Sequence, residues 1–375
     1  MRKMIVLLAA VMPTTLVVPS AAASPSTGRD AVAAPVGRLA YVTSSGELDL
    51  VTVDADGSVA SSQSIGPVTT PAGGTATVYG PLASPGGGWL AWTEQDKVGS
   101  HFSSWIVMRP GGDGTPVKIN TSKNDAAPVG FVGQRLVVSN LDGKAWVVAT
   151  NGTHPVLRLV ASSRDDSTFW GTDPAGIVYQ RGFGLPGKPV RIDLLSLRGR
   201  STPLHTFPGS MFKGRRAPLE QGWVDPDGRK VIFEQGDHTD FGGVGPISEA
   251  YSISGLHASK SVSLGHPGAA SPIQRMEGLS FAADTPYAIW ATTESQTPAG
   301  SVYVDDGHGW QLYASDSLVV AGSRSGAVIT QPAKYVDAGL DFPAYNVQPT
   351  GDAVLHVDDT TPTVPIQATA MVWLD

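Results

Sequence analysis

One stretch limits what this chain can become more than any other: Gly222-Trp223-Val224-Asp225-Pro226-Asp227-Gly228-Arg229-Lys230-Val231-Ile232-Phe233-Glu234. Pro presets a backbone angle for a tight turn, and Gly takes the conformation that closes it. The β-branched and aromatic residues on either side have the composition of short, largely buried strands. A third strand is predicted at Glu249-Ala250-Tyr251-Ser252-Ile253, closing on Ser254-Gly255. Weaker copies of this meander recur along almost the whole chain.

Composition agrees with many short strands. The 375 residues include 44 Gly and 29 Pro, spread so that few stretches run long enough for a helix. No extended i, i+3, i+4, i+7 apolar pattern follows the N-terminus. A hydrophobic content of 41% supplies a core and excludes global disorder.

The N-terminus reads as a secretory signal peptide over residues 1–23. Met1-Arg2-Lys3 is basic, Met4 to Val18 is apolar, and Ala21-Ala22-Ala23 is a small-residue cleavage pattern. With no cysteine there is no lipobox, so the expected location is secreted, with no membrane span. A secreted domain without disulfides has to rest on its core. The formal net charge is -7, and losing Arg2 and Lys3 makes the balance more acidic. Such a surface excludes nucleic acid as a natural partner.

Residues 24–35 form a Ser/Ala/Pro tail, and 36–375 read as one domain. The first copy has Arg38–Val42 and Leu48–Val53, then a Gly/Thr/Pro-rich connection over 58–77. The second has Trp89–Trp92 and Ser104–Met108. The third has Leu136–Val138 and Trp146–Val148, and the fourth Ile177–Tyr179 and Val190–Leu194. The stretch above is the fifth. The sixth has Tyr287–Trp290 and Ser301–Val304. The seventh has Leu318–Ala321, Ala327–Ile329 and Ala344–Val347. The step of about 48 residues is that of β-propeller blades, four-stranded sheets that bury their faces only by stacking in a ring. The expected fold is therefore all-β, a propeller of seven four-stranded blades. The first copy lacks an inner strand, and Trp373-Leu374-Asp375 matches Trp223-Val224-Asp225. The C-terminal strand is thus expected to pair into the first blade and close the ring, leaving no open edge.

The Ser/Asp-Pro-Asp-Gly turn, the apolar-apolar-aromatic strand after it and the later Asp-Gly resemble the TolB-like or WD40-like (PD40) propeller repeat. The match is best from Asp225 to Phe233, and fair from Ser84-Pro85 to Trp92 with Val107-Met108 and Asp113-Gly114. The resemblance spans about residues 35–375. It implies a propeller of a kind found in periplasmic and secreted binding proteins and beside some peptidase domains. No peptidase domain follows here, and the Gly-x-Ser-x-Gly elbow is absent.

First-to-second strand turns are short, and second-to-third connections are long: Thr93–Ser103, Arg181–Pro189, Gln235–Ser248, Ala291–Gly300 and 331–343. In a propeller the two kinds lie on opposite faces, so the long-loop face is the expected binding face. Its candidate residues are Glu94, Asp96 and His101 in the second copy, Arg181 in the fourth, Asp237, His238, Asp240 and Phe241 in the fifth, and Asp337 and Asp341 in the seventh. Asp237-His238-Thr239-Asp240 is the densest polar group. It has the donors for a divalent cation such as calcium but matches no named metal motif, so no cofactor is assigned. Phe102, Phe183, Phe241 and Phe342 are placed to stack on a sugar or grip a peptide. The function expected is a monomeric, non-catalytic, secreted propeller that binds an extracellular protein, peptide or cell-wall glycan. The alternative is a glycoside hydrolase or lyase with paired carboxylates at the channel mouth.

Overall fold

The computed structural model describes residues 35–375 except 123–125, 141, 150–155, 163–166, 183–189, 208–218, 226, 228–229, 236–248, 255–261, 266, 268–273, 293–298 and 338–344. Residues 1–34, on which the expected signal peptide and most of the expected tail fall, lie outside the described part. Every regular element in it is a strand. The first sheet combines β1 (Pro35–Val42), β2 (Leu48–Asp54) and β3 (Val59–Gly66) with a strand from the other end of the chain. The second holds β4 (Thr75–Ala83), β5 (Trp89–Val98), β6 (His101–Pro110) and β7 (Val117–Asn120). The third holds β8 (Ala127–Val132), β9 (Arg135–Ser139), β10 (Lys144–Ala149) and β11 (Val156–Ser162). The fourth holds β12 (Ser167–Asp173), β13 (Gly176–Arg181), β14 (Val190–Leu195) and β15 (Ser201–Phe207). The fifth holds β16 (Leu219–Val224), β17 (Lys230–Gln235), β18 (Glu249–Ser254) and β19 (Val262–Gly265). The sixth holds β20 (Gln274–Ala282), β21 (Thr285–Thr292), β22 (Gly300–Asp305) and β23 (Trp310–Ala314). The seventh holds β24 (Ser317–Gly322), β25 (Val328–Asp337), β26 (Tyr345–Pro349), β27 (Ala353–His356) and β28 (Thr363–Val364). The last strand, β29 (Ala370–Trp373), lies antiparallel to β1, with Leu39 opposite Trp373 and Ala40 opposite Val372.

A recurring side-chain device explains why these sheets turn where they do. The residue at the end of a strand accepts backbone N–H groups from its own turn. Asp173 Oδ1 accepts from Ala175 at 2.6 Å, Asp225 Oδ1 from Asp227 at 3.0 Å, and Asp305 Oδ1 from Gly307 and Gly309 at 2.9 and 3.1 Å. Ser84 and Ser323 do the same with a hydroxyl, each at 2.9 Å. Short polar side chains favour turns for this reason, and here they are buried while serving them.

Packing runs from sheet to sheet. Strands buried on both faces send alternate residues to opposite sides. In β5, Leu90 and Trp92 join Ala40 and Leu50 of the first sheet, while Ala91 joins Phe131 and Leu136 of the third. Seven apolar clusters result among the described residues, each shared by two successive sheets. One of them joins the seventh sheet to the first, through Ile329, Leu355, Leu39 and Trp373. Residues Ala34–Asp375 form one compact unit.

Four expectations about connections change. The 58–77 connection contains β3 and the start of β4; β3 reads as a loop because Val59-Ala60-Ser61-Ser62-Gln63 lies at an exposed sheet edge and needs no apolar alternation. Thr93–Ser103 is not a loop but the paired ends of β5 and β6, in register from Glu94 opposite Trp105 to Val98 opposite His101. The 331–343 segment begins as strand, since β25 runs to Asp337. Ala344–Val347 is not the third strand of the main seventh path: β27 takes that place, and β26 pairs with the far half of β25.

Candidate functional site

The described candidates divide by sheet. Glu94 and Asp96 are brought together in β5, but not at a solvent-facing mouth. Glu94 is fully buried; its Oε1 accepts from Val68 N at 2.7 Å and Trp92 Nε1 at 3.0 Å, and its Oε2 lies 2.8 Å from Lys118 Nζ. Asp96 Oδ2 is 3.6 Å from the same ammonium. Lys118 also donates to Thr69 Oγ1 at 3.1 Å and sits 4.8 Å from the Trp105 ring centroid. The sequence places these residues together because Glu94, Asp96, Trp105 and Lys118 share one side of the sheet, in register across β5, β6 and β7. A carboxylate so enclosed is committed to its cation, and removing one partner leaves an uncompensated buried charge. Glu94 is therefore an anchor rather than a group that meets substrate.

The anchor supports something exposed. Beyond it, β5 and β6 continue to a turn at Gly99 with φ +58° and present Lys97, Val98, His101 and Phe102 to solvent. Phe102 is 56% exposed, and the Lys97 ammonium stands 5.3 Å from its ring centroid. Arg181 is exposed at the end of β13, opposite Arg191, whose guanidinium pairs with the buried Asp193. Asp337 ends β25 opposite Tyr345. Asp237, His238, Asp240, Phe241 and Asp341 lie outside the described residues. Among the described residues, no three His, Asp or Glu side chains are gathered as a metal ion requires.

A second feature has a lining that was not among the candidates from the sequence, which expected carboxylates of the long-loop face at a channel mouth. A cavity of about 390 Å³ is lined by residues of β4, β8, β12, β16, β20, β24 and β29, the end strand of each of the seven sheets. Its walls include Trp170, Trp223, Phe281 and Trp373. Its charged lining, among the described residues, follows the ends of strands: Asp225 and Asp227 after β16, Arg324 after β24, and Asp375 after β29. Asp375 Oδ2 accepts from Arg324 N at 2.7 Å, and its carbonyl accepts from Gly86 N at 3.1 Å. Arg324 Nη2 pairs with Asp227 Oδ1. The available signal was the Asp-Pro-Asp-Gly turn itself. An end strand that terminates at the cavity delivers its turn carboxylates there, so a residue pattern that reads as structural also charges the cavity.

No family model matches the chain, and no curated protein matches it in sequence. Solved structures do. A protein from Lactobacillus plantarum is 14% identical with a TM-score of 0.51, over 90% of this chain and 99% of that one. TolB from Acinetobacter baumannii is 17% identical with a TM-score of 0.44, over 72% of this chain and 62% of that one. The Swd1 propeller domain of Myceliophteria thermophila is 10% identical with a TM-score of 0.45, over 78% of this chain and 92% of that one. At such identities the likeness is one of fold. With sheets of four antiparallel strands packed face to face in succession, that fold is the β-propeller.

Proposed function

We propose that this chain is a secreted, monomeric, seven-bladed propeller whose ring is closed by β29 in the first sheet, and that it binds an extracellular protein, peptide or cell-wall glycan without chemistry. The observation that carries the binding role is the β5–β6 hairpin. It combines a rigid base, Glu94 and Asp96 on Lys118, with an exposed aromatic and cationic tip at Phe102 and Lys97. Rigid presentation keeps down the ordering cost of association, and one exposed aromatic on a firm support is the usual anchor of a recognition surface. The carboxylates of this hairpin are engaged internally, which favours binding over hydrolysis.

The test is a screen of the purified protein against extracellular glycans and peptides, followed by Phe102→Ala and His101→Ala. Capture should fall about tenfold or more for Phe102→Ala, the cost of losing one anchor. Leu312→Ala, exposed on an outer strand of the sixth sheet, should leave capture unchanged. Equal capture by Phe102→Ala removes the hairpin from the site, and turnover of any captured glycan overturns the non-catalytic reading.

A further inference from the structure

The geometry points to the short-turn end of the axial cavity as a second binding site, for an alkylguanidinium or alkylammonium group, which Arg324 occupies when no ligand is bound. Three observations converge there. The cavity is bordered by Trp170, Trp223, Phe281 and Trp373 together with Leu82, Val224 and Val320, so its lining is largely apolar and suits an alkyl stem. Among the described residues, the lining carries three aspartates, Asp225, Asp227 and Asp375, and one arginine, a balance that favours positive charge. A cation is already seated in it: the Arg324 guanidinium, from the turn of the seventh sheet, reaches past the sixth sheet to Asp227 of the fifth.

The seated side chain is built to leave. Its turn is held without the guanidinium, by Ser323 N on Ala327 O at 2.8 Å, Ala327 N on Ser323 Oγ at 2.9 Å and Arg324 N on Asp375 Oδ2. The Arg324 side chain is 41% exposed and that of Asp227 33%, so water can replace the pair at little cost. Among the described residues, the backbone N–H of Asp227 donates to Asp225 and its carboxylate meets Arg324. That carboxylate is partly exposed, so one cation can replace another on it. An incoming Arg or Lys side chain repeats the contact that Arg324 makes and lays its alkyl stem along the apolar lining. This inference concerns the face opposite the β5–β6 tip, so it stands or falls separately from the function proposed above.

Calorimetric titration of the full chain tests it. The probes are agmatine, an acetylated Gly-Arg-Gly amide and the same peptide with citrulline for arginine. Agmatine and the arginine peptide should bind and the citrulline peptide should not; a preference between the first two tells a free amine from a protein-borne side chain as the source. Arg324→Ala should tighten binding about two- to fivefold, which is what an exposed ion pair can withhold. Asp227→Asn should weaken it by at least as much, and raised salt should weaken it further. Unchanged melting temperatures in both variants show that the fold is intact. Equal binding of the citrulline peptide, no tightening in Arg324→Ala, or no binding to either variant or wild type overturns the assignment.

Discussion

The first and fifth sheets present the same inner-strand pattern under different chain connectivity. In the fifth, Trp223-Val224-Asp225 ends β16 and a short turn leads straight into β17, so the whole sheet comes from one local run, Leu219 to Gly265. In the first, the matching Trp373 ends β29 and pairs with Leu39 of β1, more than three hundred residues away. The two tryptophans differ accordingly. Trp373 is 3% exposed, packs among residues of the first and seventh sheets, and donates its indole N–H to Ala321 O at 3.1 Å. Trp223 is only partly buried. A strand tethered by a tight turn has its pairing held by the chain, whereas one returning from far away has a larger closure entropy to overcome. The difference teaches that buried side-chain contacts do at the seam what a covalent turn does elsewhere.

Substitutions at these matched positions can break that comparison. Trp373→Ala is expected to cost about 3–5 kcal/mol in denaturant unfolding, the usual range for a large buried aromatic. Trp223→Ala should cost roughly half as much, in proportion to its lesser burial; equal losses would show that the seam has no special dependence on its tryptophan. Within the fifth sheet, a Cβ at Gly222 would fall 2.2 Å from the Trp170 ring, so Gly222→Ala should destabilise by about 1–3 kcal/mol through overpacking. Pairing it with Trp170→Leu should recover part of that loss if the clash is the cause. The smallest effect belongs to the seam at high pH. Burial, with Asp49 beside it, pushes the Tyr41 phenol up to about 12, while an unfolded tyrosine ionises near 10. Folding therefore holds a proton that the unfolded chain gives up. This stability is complete below pH 10 and is lost as the pH rises toward 12. Melting curves from pH 8 to 11.5 should fall less steeply for Tyr41→Phe than for the wild type.

What could be read in advance followed the strength of local signals. Asp225 to Phe233 combines a specific turn with an apolar strand, and the structure has the turn and β17 where those residues place them. The echo of Trp223-Val224-Asp225 in Trp373-Leu374-Asp375 located β29 opposite β1. Outer strands were harder. Residues 59–63 of β3 face water and carry no apolar code, so only the sheet beneath them specifies extended structure. The β5–β6 extension was misread because Glu94, Asp96 and Lys97 look like a solvated loop; burial of Glu94 depends on Lys118, a partner 24 positions away that local patterning does not reveal. The charged lining of the cavity escaped notice for a related reason. Its aspartates and Arg324 belong to different turns, and only the stacking of sheets makes them neighbours.

The pairing of β29 with β1 also governs the order in which this chain can mature. A polypeptide synthesised from its N-terminus makes β1 long before its mate, which follows more than three hundred residues later. Throughout that interval β1 offers an unoccupied row of amide and carbonyl groups, the kind of edge that recruits a stray strand from another molecule. That row stays open to such pairing until residues 370–373 arrive to claim it.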